Sequence, residues 1–372
     1  MSLDVQNLDR ETFVVNLGPQ HPATHGVLRI KLTMDGEYIV DAEPVLGYIH
    51  RMHEKMGENR SYAKFLPNMG RMDYVAALFN SHGYVAAVER LAGITVPERA
   101  EFIRVITCEL NRVASHLLWL GAYLIDLGGF TPMLYAFDDR EMILDLLEAV
   151  TGARLTFCYF RFGGVANDVD ENFVSGTRVF VARMRSRMPM YEAFVSKNII
   201  FRKRCEGIGV ISAETCRRYG ATGPVIRGSG VAYDVRKAEP YSAYPRFQFN
   251  VAVSDLCDNM GRYRVRVDEI VESLRIIEQA IDQLPGGPVM AEKVPRSLKP
   301  PKGDCYFNVE SARGSFGVRV VSDATENAYR LKLRSPCLSN LHLFRECSRG
   351  MLLPDALAML GSLDLVIPDI DR

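Results

Sequence analysis

The chain has 372 residues, 48% of them hydrophobic and 24% charged, with a formal net charge of zero, so it can bury a large core. The balanced charge excludes an electrostatic case for binding nucleic acid, and no apolar run approaches the roughly 20 residues that span a bilayer. Because the first residues also lack the basic and apolar segments of a signal peptide, we expect a cytosolic protein that meets a membrane only through partners.

The N-terminal part of the chain predicts a small β region over about residues 12–48. The segments Thr12–Leu17 and Val27–Met34 are rich in β-branched and apolar residues, which is typical of strands. The dipeptide Asp35-Gly36 indicates a hairpin turn that leads to a third strand starting at Tyr38. The first two segments therefore form a strand–loop–strand unit.

The loop inside that unit, Gly18–Gly26, carries two imidazoles and a hydroxyl, from His21, His25 and Thr24. Its prolines fix φ and bias the residues before them towards extended backbone, so the loop is stiff. Such a loop suits proton handling or ligand anchoring, although two histidines four residues apart also occur in structural positions. Pro22 argues against the helical pair that binds zinc, and no glutamate stands next to His21 as the base of a zinc protease.

A helical body is predicted over about residues 60–220 and 262–284. Its first two helices are predicted over 71–92 and 97–127, because apolar residues recur at helical spacing and glycines follow each segment. Further helices are predicted at 138–151, 168–191, 192–204, 212–219 and 262–283.

The second of these helices is apolar nearly all round from Val113 to Ile125, which predicts a central position in a bundle. Its polar residues Glu109, Arg112 and His116 are spaced to pair along one face, and a structural row of ion pairs is the simplest interpretation. Asp126 ends the apolar stretch. If that carboxylate is buried, it needs a hydrogen-bond donor or a cation, or its pKa rises.

The C-terminal part predicts loops with short strands over 220–253, a proline-rich linker over 284–301, and a β-meander followed by a helix over about 303–361. The meander strands are placed at 305–310, 317–321 and 329–333, and the turn between the first two is Ala312–Ser315. We therefore expect one α+β domain over residues 1–372, with a central helical bundle and small β regions from both ends.

The cysteines predict reduced thiols rather than disulfides or metal ligands. No two of them stand as C-x-x-C, and none belongs to a cluster with metal-ligand spacing. A chain without such thiolates cannot hold an iron–sulfur cluster alone. The eight cysteines are Cys108, Cys158, Cys205, Cys216, Cys257, Cys305, Cys337 and Cys347.

The loop Gly18–Arg29 closely resembles the N-terminal signature of the D subunit of proton-pumping NADH-quinone oxidoreductase, the quinone-site subunit of respiratory complex I. The corresponding H subunit of plastids and cyanobacteria is similar. The resemblance continues in one order over almost the whole chain, through Glu43-Pro44, Gly47–Arg51, Arg71–Val75, Asp126–Pro132, Arg161–Val165, Ala221–Pro224, Arg227–Gly230 and Gly314–Gly317.

The resemblance implies a fold like the large subunit of nickel-iron hydrogenases with the nickel site lost. The sequence agrees, because it lacks the two C-x-x-C pairs that hold nickel. The chain would then hold no cofactor of its own, and quinone would be its substrate. Its partners would be an iron–sulfur subunit and other subunits of the peripheral and membrane arms, on the cytoplasmic side of the cell membrane.

The resemblance also implies residue roles. His25 matches the loop histidine that hydrogen-bonds a quinone carbonyl, and Tyr74 matches the tyrosine that bonds the same headgroup. Asp126 matches the aspartate paired with that histidine, while Arg51 and Arg71 match arginines near the partner's terminal cluster. The neighbouring His21 and Thr24 are further candidates for quinone binding. An imidazole with a pKa near ~6.5 and a phenol near ~10 are suitable donors for the protons that quinone takes up.

The chain departs from the family pattern at several positions. Thr156 stands where members often carry a histidine linked to the pH-dependent potential of the neighbouring cluster, so the resemblance does not imply such coupling here. Phe162 replaces a frequent proline, and the segments Leu256–Tyr263 and Pro368–Arg372 differ from their usual forms. These differences indicate a divergent branch, and none of them affects His25, Tyr74 or Asp126.

Two alternatives belong to other functional classes. The departures allow a scaffold subunit that binds its cluster-bearing partner but no longer handles quinone. A metallohydrolase would use the histidines His21, His25, His50 and His53, although His50 and His53 are more simply solvated or structural residues.

Overall fold

The structure, a computed structural model, describes residues 12–20 and 26–372. The N-terminal sheet consists of β1 (Phe13–Leu17), β2 (Arg29–Asp35) and β3 (Tyr38–Val45), which pair antiparallel in that order. Buried and exposed residues alternate along β2, so one face of the sheet packs inward. The predicted strands and their Asp35-Gly36 turn are confirmed.

The remaining elements confirm the α+β class, since helices dominate and the strands form small separate sheets. The other strands are β4 (Phe160–Arg161), β5 (Gly164–Val165), β6 (Gly303–Ser311), β7 (Gly314–Ser322) and β8 (Arg330–Arg334). The helices are α1 (His53–Asn59), α2 (Tyr62–Met69), α3 (Ala77–Ala92), α4 (Glu98–Asp126), α5 (Phe130–Thr151), α6 (Glu171–Tyr191), α7 (Ile199–Cys205), α8 (Ala213–Tyr219), α9 (Pro224–Arg227), α10 (Val235–Ala238), α11 (Asn259–Asp282), α12 (Pro336–Cys347), α13 (Leu353–Ser362) and α14 (Ile367–Asp371).

Helix α4 is the central element that the sequence predicts. It packs against α3, α5, α11 and α13, and nearly every residue from Ala100 to Leu124 is buried. At 1.5 Å per residue its 29 residues extend about 43 Å. The helix therefore connects the middle of the main core to the surface at Asp126.

Two hydrophobic cores hold the fold together. The main core lies between the helices α2–α6 and α11 and the C-terminal sheet β6–β7–β8, which is antiparallel as predicted. The second core lies between the N-terminal sheet, α8, α9 and the C-terminal helices α12–α14. The turn between β6 and β7 lies in the interior of the fold, as the 1% exposure of its residue Arg313 shows.

The helix predicted over 71–92 begins instead at Ala77. The carboxylate of Asp73 accepts hydrogen bonds from the backbone N–H groups of Val75 and Ala76, at 3.2 and 3.1 Å. This local bonding competes with the helix and leaves residues 70–76 as a turn. Tyr74 therefore lies on a turn, not on the helix that the spacing predicts.

Three other helix predictions also differ from the structure. The helix predicted at 138 starts at Phe130, because a proline is tolerated in the first turn. The helix predicted over 192–204 is a π-helical turn, Glu192–Ser196, followed by α7, because the side chain of Asn198 caps a new helix. The single helix predicted after the β-meander, up to about residue 361, is divided into α12 and α13, whose connection hydrogen-bonds to β3.

The segment 220–253, all of it described, contains short helical turns and no strand, so its predicted strands are wrong. Its backbone N–H groups bond within those turns and to side chains of other segments, for example that of Val235 to the carboxylate of Glu310 at 3.1 Å. The cysteines carry free thiols, as predicted, and five of the eight are buried. Among the residues that the structure describes, no helix is long and apolar enough to cross a membrane.

Candidate functional site

The turn that carries Tyr74 is held by the side chains of Asp73 and Asn111. The Asp73 carboxylate is 2% exposed and fixes the backbone of the two residues after Tyr74. The side-chain amide of Asn111 on α4 donates to the backbone oxygen of Val75 at 2.8 Å. The Tyr74 side chain nevertheless keeps 37% of its surface exposed. The phenol of Tyr74 is therefore carried by a rigid turn and remains accessible.

The guanidinium of Arg313 lies beneath this turn and connects it to two other parts of the fold. Its Nη1 donates to both oxygens of Asp73, at 2.9 and 3.2 Å, and to Oγ of Ser115 at 3.1 Å. Its Nη2 donates to Oδ1 of Asp364 at 3.2 Å. The turn, helix α4 and the segment after α13 therefore meet at one buried cation.

Burial and neighbouring charges act on the proton affinities in this cluster. Burial raises the pKa of the Tyr74 phenol, the charge of Arg313 opposes that rise, and Asp73 and Asp364 add to it. Burial also raises the pKa of Asp73 despite its pairing with Arg313. Burial, and then the charge of Asp73, raise the pKa of Asp369 to about 6. Tyr74 is consequently a protonated donor at neutral pH.

Asp126 is the last residue of α4, and it is exposed. A Cβ built on Gly361 would lie 3.5 Å from its Oδ2 and 2.9 Å from a ring carbon of Tyr123, so the two segments touch closely. Asp364, three residues further on, binds Arg313 below Tyr74. The segment Gly361–Asp364 therefore joins the Asp126 end of α4 to the base of the Tyr74 turn.

The predicted residues His21, Thr24 and His25 lie outside the described residues. The described chain ends at Gln20 and resumes at Gly26 between β1 and β2. Their predicted roles stay predictions.

Arg51 and Arg71 are both exposed. Arg71 precedes Tyr74 in the same turn, whereas Arg51 lies near the C-terminal residues and contributes to the lowered pKa of His53. The structure thus places Arg71 in the Tyr74 segment and Arg51 in a different contact region.

His50 and His53 both pack against other parts of the chain, as expected for structural residues. His50 Nδ1 lies 2.6 Å from the backbone oxygen of Asp371, whose carboxylate also accepts the N–H groups of Gly47 and Ile49. His53 is 1% exposed. Within residues 12–20 and 26–372, no group of three potential ligands could hold a metal ion.

A larger ionic cluster lies deeper in the core, and the sequence predicts only one of its pairs. Arg112 donates to Glu109 at 3.1 Å, as predicted along α4. His116, predicted to join that row, instead lies 2.8 Å from Glu269 on α11. The other side chains that donate to the Glu109 carboxylate are Arg236, Tyr244 and Ser273, and all three come from segments distant in sequence.

Thr156, the residue at the family's histidine position, has a φ of 50°, which is unfavourable for a β-branched residue. The next residue, Phe157, reaches the Tyr74 turn: a Cβ on Gly70 would lie 3.1 Å from its backbone oxygen. The position of the departure is therefore adjacent to the candidate site.

Large apolar side chains are exposed around the Asp126 end of α4. Phe194 stacks on Tyr135 at a centroid distance of 6.2 Å and lines a small hollow beside the Gly128-Gly129 turn. Contiguous exposed apolar surface is typical of interaction sites. The side chains that form this surface, which we call the apolar end surface, are Ile125, Phe130, Leu134, Phe194, Ile199 and Ile200.

A profile of the family described as "Respiratory-chain NADH dehydrogenase, 49 Kd subunit" matches residues 126–298 and 293–372. The D subunit of NADH-quinone oxidoreductase of Desulfotalea psychrophila is 64% identical over 362 residues, 97% of each chain. The second of the numbered D subunits of Opitutus terrae is 66% identical over 362 residues, 97% of this chain and 91% of that protein. The D subunit of Syntrophobacter fumaroxidans is 58% identical over 362 residues, 97% of each chain.

These matches, together with the α+β fold, define the chain as one component of a multisubunit oxidoreductase. It belongs to the family of the 49-kDa subunit of respiratory-chain NADH dehydrogenase, which is the D subunit of bacterial NADH-quinone oxidoreductase, or complex I. The resemblance found in the sequence is thereby confirmed.

Neither the buried position of Arg313 nor its pairing with Asp73 and Asp364 is predicted from the sequence. Arg313 stands in a predicted turn between two strands, where an arginine is usually solvated. The sequence feature that could have indicated a buried Arg313 is the apolar character of both flanking strands, which places their connection near a core.

Proposed function

We propose that this chain forms the site at which a quinone is reduced and protonated, together with a neighbouring subunit that carries an iron–sulfur cluster. Reduction adds two electrons and two protons to the quinone and yields the quinol. The relatives are named as subunits of an NADH-quinone oxidoreductase. This name supports both quinone as the substrate and a neighbouring subunit as the partner. Other subunits of that complex are then its partners.

The observation that carries the proposal is the half-exposed phenol of Tyr74 on a buttressed turn. A proton donor has to lie within hydrogen-bond reach of the quinone oxygen, at roughly 2.6–3.2 Å, and a rigid base keeps it there. Asp126 supports the proposal because it lies beside the segment that also holds Arg313. His25 would supply the second donor, with Asp126 as its partner.

Electron supply in this proposal depends on the neighbour. The chain has no C-x-x-C pair, so the electrons would reach the quinone from a cluster on that subunit. The apolar end surface beside Asp126 supports contact there with an apolar partner or with the apolar body of the quinone. The chain would act on the cytoplasmic side of the cell membrane as a peripheral subunit, with electron transfer coupled to proton transport.

The test uses the assembled complex with Tyr74→Phe, His25→Ala and Asp126→Asn, each compared with Tyr329→Phe, a 70% exposed tyrosine of another surface. Quinone reduction should fall about 10-fold or more in the first three variants, as for loss of a general acid. Reduction of a water-soluble acceptor such as ferricyanide should persist. Full quinone reduction in all three variants, with normal assembly, would contradict the proposal.

A scaffold subunit without quinone chemistry is the second candidate. The observation that favours it is Thr156, which replaces the family's histidine next to the Tyr74 turn. Photolabelling of the complex with a quinone analogue separates the two candidates. Labelling of this chain that excess quinone prevents supports the quinone site, and its absence supports the scaffold.

A further inference from the structure

We infer that Arg313 is the positioning residue of the quinone site: its guanidinium fixes the turn that presents Tyr74 to the quinone. The inference rests on the proposed function, because it takes Tyr74 as a proton donor. Arg313 itself is 1% exposed and does not reach the surface where a quinone would bind. It would therefore act through Tyr74.

The first argument is geometric. The planar guanidinium forms its bonds to Asp73, Ser115 and Asp364 with two nitrogen atoms in a fixed fork. Asp73, in turn, holds the two N–H groups that follow Tyr74. A displacement of the guanidinium is thus passed directly to the backbone of the turn. A shift of about 1 Å in a reacting group can cost about 100-fold in rate.

The second argument is that Arg313 itself has a fixed position. Its backbone oxygen accepts a bond from Asn340 at 3.4 Å, and Gly314 and Gly223 pack so closely that a Cβ on either would clash with backbone. The turn between β6 and β7 is therefore rigid. The side chain transmits the position of the C-terminal sheet to Tyr74.

The third argument concerns charge. Three buried carboxylates, Asp73, Asp364 and Asp369, lie around Arg313, which binds the first two directly. Arg266 on α11 lies 3.8 Å from Asp364, but its guanidinium mainly covers the ring of Trp119 at 4.2 Å. Buried carboxylates without a cation take up protons. Without Arg313, Asp73 would lose its charge and its hold on the turn.

A lysine at this position tests the fork while it keeps the positive charge. In the assembled complex, Arg313→Lys should lower the kcat of quinone reduction about 10- to 100-fold, with the KM for quinone changed less than about twofold. A matched control is Arg104→Lys. Arg104 is also fully buried, and its guanidinium donates to Glu89 at 2.7 and 3.0 Å, in a part of the core away from the Tyr74 turn. The control should keep its kcat.

The decisive measurement is a double-mutant cycle with Tyr74→Phe. If Arg313 acts through Tyr74, Arg313→Lys has little further effect on kcat once the phenol is removed. If the two losses multiply, Arg313 is only a general structural residue, and the inference is wrong while the proposed function stands. If Tyr74→Phe alone leaves kcat unchanged, Tyr74 is not the proton donor and the inference is wrong, while the proposed function fails only if His25→Ala and Asp126→Asn also keep full quinone reduction.

A milder variant covers failure of Arg313→Lys to assemble. Ser115→Ala removes one of the bonds to Nη1 and leaves both carboxylates in place. It should lower kcat about twofold to fivefold, in line with the loss of one hydrogen bond of about 1 kcal/mol, and this loss should disappear in the Tyr74→Phe background. A loss that persists there would overturn the inference.

Discussion

Glu109 of the central helix α4 and Arg236 of the four-residue helix α10 form a buried ion pair, with Nη1 lying 3.2 and 3.3 Å from the two carboxylate oxygens. Glu109 also accepts bonds from Arg112, Tyr244 and Ser273. One carboxylate therefore holds together three segments that are distant in sequence, namely α4, residues 236–244 and α11.

Removing this carboxylate should strongly destabilise the chain. Glu109→Gln leaves two buried guanidinium groups with too little negative charge, a change that typically costs about 3–5 kcal/mol. Burial alone would raise the pKa of Glu109, but Arg112 and Arg236 lower it to about 2. Because the folded-state pKa is lowered, its stabilisation is present above pH 4.5 and is lost as the pH falls towards 2. Unfolding in denaturant checks this, with Glu98→Gln at an exposed pair as control.

Protonation of His53 should destabilise the fold in mild acid. Burial, and then the charge of Arg51, lower the pKa of His53 to about 4. The unfolded chain binds this proton near pH 6.5, whereas the folded chain does not, so stability falls by up to about 3 kcal/mol between pH 7 and 4. Thermal unfolding at several pH values should show a weaker pH dependence in His53→Gln than in the wild type. An unchanged dependence would contradict this assignment.

A methyl group at Gly361 should displace the end of α4. The added Cβ would lie 2.9 Å from the Tyr123 ring and 3.5 Å from Asp126 Oδ2. We expect Gly361→Ala to reduce quinone reduction severalfold and to destabilise the chain by about 1–3 kcal/mol, as overpacking does. Gly286→Ala, which meets open space, should behave as the wild type in both assays.

The apolar end surface should be needed for assembly rather than for folding. Phe194→Ser and Ile200→Ser change side chains that are 55% and 64% exposed, so the cost to stability should stay within about 1 kcal/mol. Copurification of the other subunits should nevertheless decrease. Val179→Ser, at a 61% exposed position on α6, is the matched control. Normal assembly of both variants would show that this surface is not an interface.

Introducing the family's histidine should restore a pH response. Thr156→His places an imidazole next to the Tyr74 turn, and histidine tolerates a positive φ better than a β-branched residue does. The midpoint potential of the neighbouring subunit's cluster should become pH-dependent between pH 6 and 8 in the variant, and an unchanged pH dependence would contradict this prediction. Redox titration of the complex measures this difference from the wild type.

The sequence predicts the elements with strong local patterns and misses those that depend on distant partners. Helix α4 and the strands β6–β8 follow their hydrophobic periodicity, so their positions are correct. The turn at Tyr74 is missed because the carboxylate of Asp73, not the apolar spacing, decides where α3 begins.

The site is predictable only in part for the same reason. Tyr74 and Asp126 are identified by family resemblance, since a tyrosine or an aspartate has no chemistry visible in isolation. Arg313 is separated from Asp73 by 240 positions, and no local rule connects them. Ionic pairs of that range appear only when the fold brings the segments together.

That separation has a consequence for biogenesis. The turn that carries Tyr74 cannot be fixed in place until the hairpin carrying Arg313 has been synthesised and has docked, because contacts so far apart in sequence form late. A nascent or proteolytically shortened chain that ends before residue 313 would contain Tyr74 and Asp126 but would lack the cation that buttresses them. Truncation products should therefore be inactive in quinone reduction.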